Sequence, residues 1–203
     1  MFTGIVQGIG EVLALTPIGE RVRLRVRLPE RAQSPITVGS SVAIDGVCLT
    51  FVEGDPTDAA FDVIAETLRL TTLGTRSAGS HVNIERAARV GDEIGGHLLS
   101  GHVSGGAIVR AIVKTDTNFE LQLQLDPGLS DYVLAKGFVG LDGCSLTVGP
   151  TVSDDGCFSV YLIPETLRVT TLGERRVGDR INVELDAMTQ AVVETVRRMG
   201  LRA

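Results

Sequence analysis

The stretch from Gly95 to Gly106, reading GGHLLSGHVSGG, constrains this chain more than any other, because the sequence starts again there. Leu98-Leu-Ser-Gly-His-Val-Ser-Gly105 lies under Met1-Phe-Thr-Gly-Ile-Val-Gln-Gly8, with the hydroxyl, the valine and both glycines in the same places. The register holds downstream. Val22-Arg-Leu-Arg-Val-Arg-Leu-Pro29 matches Glu120-Leu-Gln-Leu-Gln-Leu-Asp-Pro127, and Ile44-Asp-Gly-Val-Cys-Leu-Thr50 matches Leu141-Asp-Gly-Cys-Ser-Leu-Thr147. Glu66-Thr-Leu-Arg-Leu-Thr-Thr-Leu-Gly74 matches Glu165-Thr-Leu-Arg-Val-Thr-Thr-Leu-Gly173. Blocks in one order at nearly constant offsets indicate duplication of a whole module of about ninety residues, not a short-period solenoid. The expected units are residues 1–97, residues 98–186 and a tail, 187–203.

Within each module the pattern is that of short strands. Val22, Leu24, Val26 and Leu28 alternate with arginines, and Phe119, Leu121, Leu123 and Leu125 repeat the alternation, the period of a half-buried strand. Thr3 to Leu15 and Ser100 to Val113, rich in glycine and β-branched residues, read as curved strands. Asp45-Gly46 and Asp142-Gly143 sit between apolar runs as hairpin turns. Phe61 to Ile64, Phe158 to Ile163, Val82 to Glu85 and Ile181 to Glu184 are further strands, and Glu66 to Leu70 and Glu165 to Val169 single helical turns. With no Trp, two Tyr and six Phe, the cores must come from Val, Leu and Ile. About six short strands per module with little helix predict an all-β fold of two closed barrels, since closure removes exposed edges. After Asp186, Met188, Val192, Val196 and Met199 recur at helical spacing, so a C-terminal helix without a copy in the first module follows.

Charge and composition exclude several functions. A net charge of -6 and an apolar fraction of 43% describe a globular chain without the clustered basic surface that nucleic-acid binding needs. The stripe of Arg21, Arg23, Arg25 and Arg27 has no basic copy in the second module and reads as a solvated strand face. No uncharged span reaches bilayer length and no basic leader precedes the first apolar residues, so a cytoplasmic protein off the membrane is expected. Cys48, Cys144 and Cys157 form no C-x-x-C pair and read as free thiols. Neither GxGxxG nor GxxxxGK[ST] is present, which discards a phosphate loop.

MFTGIVQ, DGVCLT, ETLRLTTLG, DEIGGHLLSGHV, KGFVGLDGCSLTV, LIPETLRVTTLG and NVELD together resemble the riboflavin synthase alpha-chain family, the lumazine-binding repeat proteins, from end to end. The resemblance implies two homologous six-stranded Greek-key β-barrels and a reaction between two molecules of 6,7-dimethyl-8-ribityllumazine, which exchange a four-carbon unit to give riboflavin and a pyrimidine. It implies no metal and no organic cofactor, a homotrimer, and association with lumazine synthase. A reaction between identical substrates calls for two similar pockets with unequal catalytic groups, and the modules differ at the right places: Cys48 against Ser145, Ile5 against His102, Ser41 against Phe138.

Carried over from the family, the first module supplies one lumazine site from Gly4, Ile5, Val6, Ser41, Cys48, Leu49, Thr50, Asp62, Val63, Ile64, Ala65, Glu66 and Thr67. The second supplies the other from Gly101, His102, Val103, Lys136, Ser145, Leu146, Thr147, Leu162, Ile163, Pro164, Glu165 and Thr166. Thr50, Thr67, Thr147 and Thr166 suit the donor and acceptor edge of a lumazine ring. His102 is expected to move the proton of the 7-methyl group, since its free pKa lies near neutrality. Cys48 or Ser41 is expected to provide or place a nucleophile, Ser145 to join the catalytic set at the place matching Cys48, and Lys136 to polarise a ring carbonyl or hold the ribityl chain. Asp186 either orients a partner group or caps the terminal helix. His81 and His97 are read as structural. The main rival is a non-catalytic lumazine or flavin carrier of the same fold; a flavoprotein reductase would need a nucleotide-binding domain for which no chain remains. Whether the working pockets pair within or between chains stays open.

Overall fold

The structure, a computed structural model, describes residues 1–200. The last residues of the expected tail, 201–203, lie outside it. In the first barrel β1 (Gly8–Ile18), β2 (Arg21–Arg27), β3 (Ser41–Ile44), β4 (Val47–Asp55), β5 (Asp58–Ile64) and β6 (His81–Arg86) close in the order β1-β2-β5-β4-β3-β6. The second barrel repeats that circuit with β7 (Gly105–Lys114), β8 (Phe119–Leu125), β9 (Phe138–Leu141), β10 (Cys144–Val152), β11 (Cys157–Tyr161) and β12 (Arg180–Leu185). The strand pairs are antiparallel, so the fold is all-β as expected. Phe119, Leu121, Leu123 and Leu125 alternate into the second core, and Leu24, Val26 and Leu28 into the first.

Local chemistry accounts for the turns. Asp45 and Gly46, at φ 46° and 78°, and Asp142 and Gly143, at 44° and 79°, make tight left-handed turns that need small residues with this freedom. The arginine stripe is not free in solvent: Arg23 pairs with Asp62 at 2.8 Å, Arg25 with Asp58 at 2.7 Å, and Arg27 with Glu11. Ion pairs this exposed contribute roughly 0–1 kcal/mol each, so the stripe decorates the wall and does not hold it.

The barrels meet on a pseudo-twofold axis. The two Asp-Gly turns abut so closely that a Cβ on Gly46 would lie 2.6 Å from the Gly143 nitrogen. Asn83 Nδ2 donates to the Asp142 carbonyl at 2.9 Å and its Oδ1 accepts from Thr171 N at 2.7 Å. Asn182 mirrors it, donating to the Asp45 carbonyl and accepting from Thr72 N, both at 2.8 Å. Asp45 and Asp142, both fully buried, are met by Arg76 at 2.7 Å and Arg175 at 2.6 Å. A buried polar network this specific sets the docking geometry, because any other register strands charges away from water.

One expectation fails in part. The curved strands begin at Gly8 and Gly105, not at Thr3 and Ser100. The residues ahead of them leave their own barrels: Phe2 bridges to Leu99, Val6 packs into the second barrel's core, and Val103 packs against the first barrel's core. The opening segments are exchanged.

Candidate functional site

Each exchanged segment ends against the strand that carries a candidate nucleophile of the other barrel. The Ser145 N–H donates to the Gly4 carbonyl at 2.9 Å, and the Cys48 N–H to the Gly101 carbonyl at 2.9 Å. Gly4 and Gly101 have φ of 74° and 81°, and a Cβ would lie 2.4 Å from Ser145 Cβ or 2.5 Å from Cys48 Cβ. Glycine is required twice over, by conformation and by space. The candidate residues are therefore brought together across the two modules. Gly101, His102 and Val103 join Ser41, Cys48, Leu49 and Thr50, while Gly4, Ile5 and Val6 join Lys136, Ser145, Leu146 and Thr147. The sequence grouped these residues by module; in the structure Gly4 pairs with Ser145 and Gly101 with Cys48, across the modules, which no local pattern encodes.

The rest of each set lies where a strand gives way to a helix. β5 runs into α1 (Ala65–Leu70) and β11 is followed by α2 (Pro164–Val169), so Asp62 to Thr67 and Leu162 to Thr166 form matching corners. At the first corner Ile18, Gly19, Arg21, Ile64, Ala65 and Glu66 line a shallow, open groove with an exposed apolar floor. Side chains differ in what they can offer. Val6, Leu49, Val63, Leu146 and Leu162 are buried and present only backbone. The Asp62 carboxylate is committed to Arg23 and Arg21, which holds it below the usual carboxylate range. Thr50, Thr147 and His102 are exposed and available, and Ser41 is half-buried across from Thr50.

The second site holds a group the sequence reading set aside. His97 Nδ1 lies 2.6 Å from Ser145 Oγ, the ring stacks on Phe138 with centroids 5.0 Å apart, and Nε2 is buried without a partner among the described residues. Gly96 makes the approach possible, since a Cβ there would stand 2.7 Å from Ser145 Cβ. Burial pushes the imidazole pKa down, opposed by the Asp186 charge, so the ring is neutral at neutral pH. With nothing fixing Nε2 from outside, the ring can carry its proton on either nitrogen, accepting from the serine or donating to it. His97 stands before the residue that matches Met1 and so has no repeat partner to mark it; the Gly95-Gly96 pair was the available signal.

Lys136 carries backbone strain. At φ 65° it occupies the left-handed region, in the position the first module fills with Gly39 at φ 93°. A lysine in that conformation costs backbone strain that a glycine there would not. Asp186 accepts from Thr189 N at 2.8 Å and Thr189 Oγ1 at 2.7 Å, so it caps α3 (Ala187–Arg198). Of its two expected roles, capping is the one its hydrogen bonds serve. His81 pairs with Glu174 on the surface. No group of three His, Cys, Asp or Glu among the described residues is placed to hold a metal ion.

A pair of closed barrels that exchange their opening segments, so that Gly4 of one module meets Ser145 of the other and Gly101 meets Cys48, defines a duplicated double-barrel fold. The chain belongs to the lumazine binding domain family, whose model matches residues 3–87 and again 100–186. It is 46% identical over 203 residues to the riboflavin synthase of Escherichia coli (strain K12), a match that covers 98% of this chain and 93% of that one. It is 45% identical over 199 residues to the riboflavin synthase of Chlamydia pneumoniae, covering 98% and 96%. Among solved structures, LumP complexed with riboflavin superposes with a TM-score of 0.83 at 25% identity, over 92% of this chain and 100% of that one. LumP complexed with 6,7-dimethyl-8-(1'-D-ribityl) lumazine shares the fold, with a TM-score of 0.81 at 24% identity, over 92% and 99%.

Proposed function

We propose that this chain catalyses the riboflavin synthase reaction: two molecules of 6,7-dimethyl-8-ribityllumazine react, one giving a four-carbon unit to the other, to form riboflavin and 5-amino-6-(D-ribitylamino)uracil. It is a transferase in that sense. The observation that carries the reading is the full-length identity to riboflavin synthases, joined to two pockets that share a backbone frame and differ in their reactive groups. Both pockets retain polar side chains, which favours the enzyme over a one-site carrier.

The frame supplies binding and the differences supply chemistry. Exposed threonine hydroxyls and strand-end backbone groups meet the uracil-like edge of the ring in each pocket. Holding both rings in a near-attack arrangement is worth up to roughly 7–11 kcal/mol of barrier. His102, beside Cys48, takes a proton from the 7-methyl group of one lumazine. Ser145, hydrogen-bonded to a neutral His97, is the better-placed nucleophile toward the electron-poor ring, because the imidazole can accept its proton. Lys136 reaches toward the ring carbonyl or the ribityl chain.

The working pair of pockets comes from neighbouring chains of a trimer. Val193 packs α3 against its own barrel, and Tyr132 is held by Glu194 and Arg197, while Met188, Val192 and Met199 remain exposed on the face turned away. An apolar face spared by its own domain suits self-association. The direct experiment is incubation of the purified protein with the lumazine alone. Riboflavin fluorescence should appear with two lumazines consumed per riboflavin; a requirement for a nicotinamide or a second carbon source would overturn the reading.

A further inference from the structure

The exchanged segments are held by two buried carboxylates that the chemistry does not use. On β12, Glu184 accepts hydrogen bonds from Ser100 N at 2.6 Å, Ser100 Oγ at 2.8 Å and Gly101 N at 3.1 Å. On β6, Glu85 accepts from Thr3 N at 2.6 Å, Thr3 Oγ1 at 2.8 Å and Gly4 N at 3.0 Å. Both side chains belong to nearly inaccessible residues, 6% and 5% exposed. Burial pushes both carboxyls above their usual range, against the pull of the donors. Two costly buried acids at matching places do more than close a turn, because a buried acceptor of this kind is tolerated only where its donors are held in place.

Each carboxylate acts on the far side of the barrel boundary. Glu184 belongs to the second barrel, yet the segment it grips presents the Gly101 carbonyl to Cys48 of the first. It also sets His102, whose N–H donates at 3.1 Å to the same Ser100 Oγ that donates to Glu184. Glu85 belongs to the first barrel, yet its segment presents the Gly4 carbonyl to Ser145 of the second. The contacts leave no slack, since a Cβ on either glycine would overlap the nucleophile-bearing residue.

We propose that Glu85 and Glu184 are positioning residues that act crosswise, each fixing the geometry of the pocket in the opposite barrel. Glu184 places His102 and Cys48, and Glu85 places Ile5 and Ser145. Neither touches a reacting atom. The consequence is a mechanical link between the pockets: a disturbance at the end of one barrel's last strand is felt at the other barrel's reactive group. As a statement about turnover the proposal rests on the reaction assigned above; as a statement about structure it does not.

Glutamine tests it, because the amide keeps the shape but offers one acceptor oxygen and turns an NH2 toward the donors. Full-length Glu184→Gln and Glu85→Gln are compared with the unmodified protein by amide hydrogen exchange and mass spectrometry, and by turnover of the lumazine. In Glu184→Gln, exchange should rise about tenfold or more, a loss of local protection, over Gly101–Val103 and Cys48–Thr50. It should stay unchanged over Thr3–Val6 and Ser145–Thr147. Glu85→Gln should give the mirror image. Turnover should fall about ten- to hundredfold in each, as for a small misplacement of reacting groups, with KM little altered. Where a glutamine variant does not fold, Ser100→Ala and Thr3→Val, which keep the carboxylates, should give the same crossed pattern at lower amplitude. Loosening confined to the variant's own barrel, equal loosening of both, or unchanged turnover would overturn the proposal. Failure of the unmodified protein to make riboflavin would strike the assigned reaction instead, and the exchange pattern would still read the crosswise link.

Discussion

His97 Nδ1 and Ser145 Oγ stand 2.6 Å apart, and the other imidazole nitrogen is buried with no partner among the described residues. That relationship separates the two halves chemically, since Cys48 at the matching place in the first barrel meets the exchanged backbone of Gly101 and its side chain has no hydrogen bond to an imidazole among the described residues. Replacing Ser145 by Ala should lower kcat by about tenfold or more, within the range for lost proton transfer, while the protein still binds lumazine. It should also cost about 1–3 kcal/mol of stability, because the buried ring is left with neither nitrogen paired. Single-turnover kinetics and urea unfolding on the same preparation check both; unchanged kcat would remove Ser145 from the chemistry.

Lys136 offers a trade between stability and function. Its left-handed backbone costs about 1–2 kcal/mol in an L-residue, so Lys136→Gly should stabilise the fold by roughly 0.5–1 kcal/mol after the entropy of glycine is subtracted. Turnover should fall several-fold at the same time. A variant that is more stable and equally active would show that the side chain has no part in the site.

The seam between barrels predicts an unusual response to acid. Burial, together with the facing Asp45, pushes Asp142 up to about 6, above the value of 3.8 for a free aspartate. A carboxyl raised in the folded state contributes stability that is fully present below the unfolded pKa and is lost as pH rises through the folded one. Unfolding midpoints in urea should therefore rise as pH is lowered from 7 toward 5. Below about 4 they should fall, when Asp58, Asp62 and Asp126, all held low by arginines, take up protons and lose their pairs. In Asp142→Asn the gain between 7 and 5 should shrink; an identical profile would mean that Asp142 is ionised throughout.

Assembly is tested on α3. Val192 is 62% exposed on the free face while Val193 packs inward, so Val192→Asp should leave the barrels folded and weaken only contacts between copies. Sedimentation should show smaller species that bind lumazine and turn it over poorly. A monomer with full activity would place both working pockets in one chain.

Much of the architecture was legible from residue order, because its causes are local. Alternation along Val22 to Leu28 and Phe119 to Leu125 reports which face of a strand is wet, and Asp-Gly reports a turn with left-handed backbone. The duplication carried the strand plan of one half onto the other, and differences between aligned positions singled out Cys48, Ser145 and His102. The N-cap role of Asp186 was legible as one of two roles, and its bonds to Thr189 show that one.

Which of the candidate residues meet was decided only by the tertiary structure. Nothing near Gly4 in the chain indicates that it lies on Ser145, or that Gly101 lies on Cys48, and module-by-module alignment does not bring these pairs together. His97, with no repeat partner, and the buried pair Glu85 and Glu184, legible only as a recurring Asn-x-Glu in the last strands, gain their meaning from bonds to distant residues. The physical reason is the range of the interactions. Strand, turn and cap are set by neighbours a few positions away, whereas the exchange joins Ser145 to Gly4 and Cys48 to Gly101, residues of different modules, in contacts that exist only once both barrels have closed and docked.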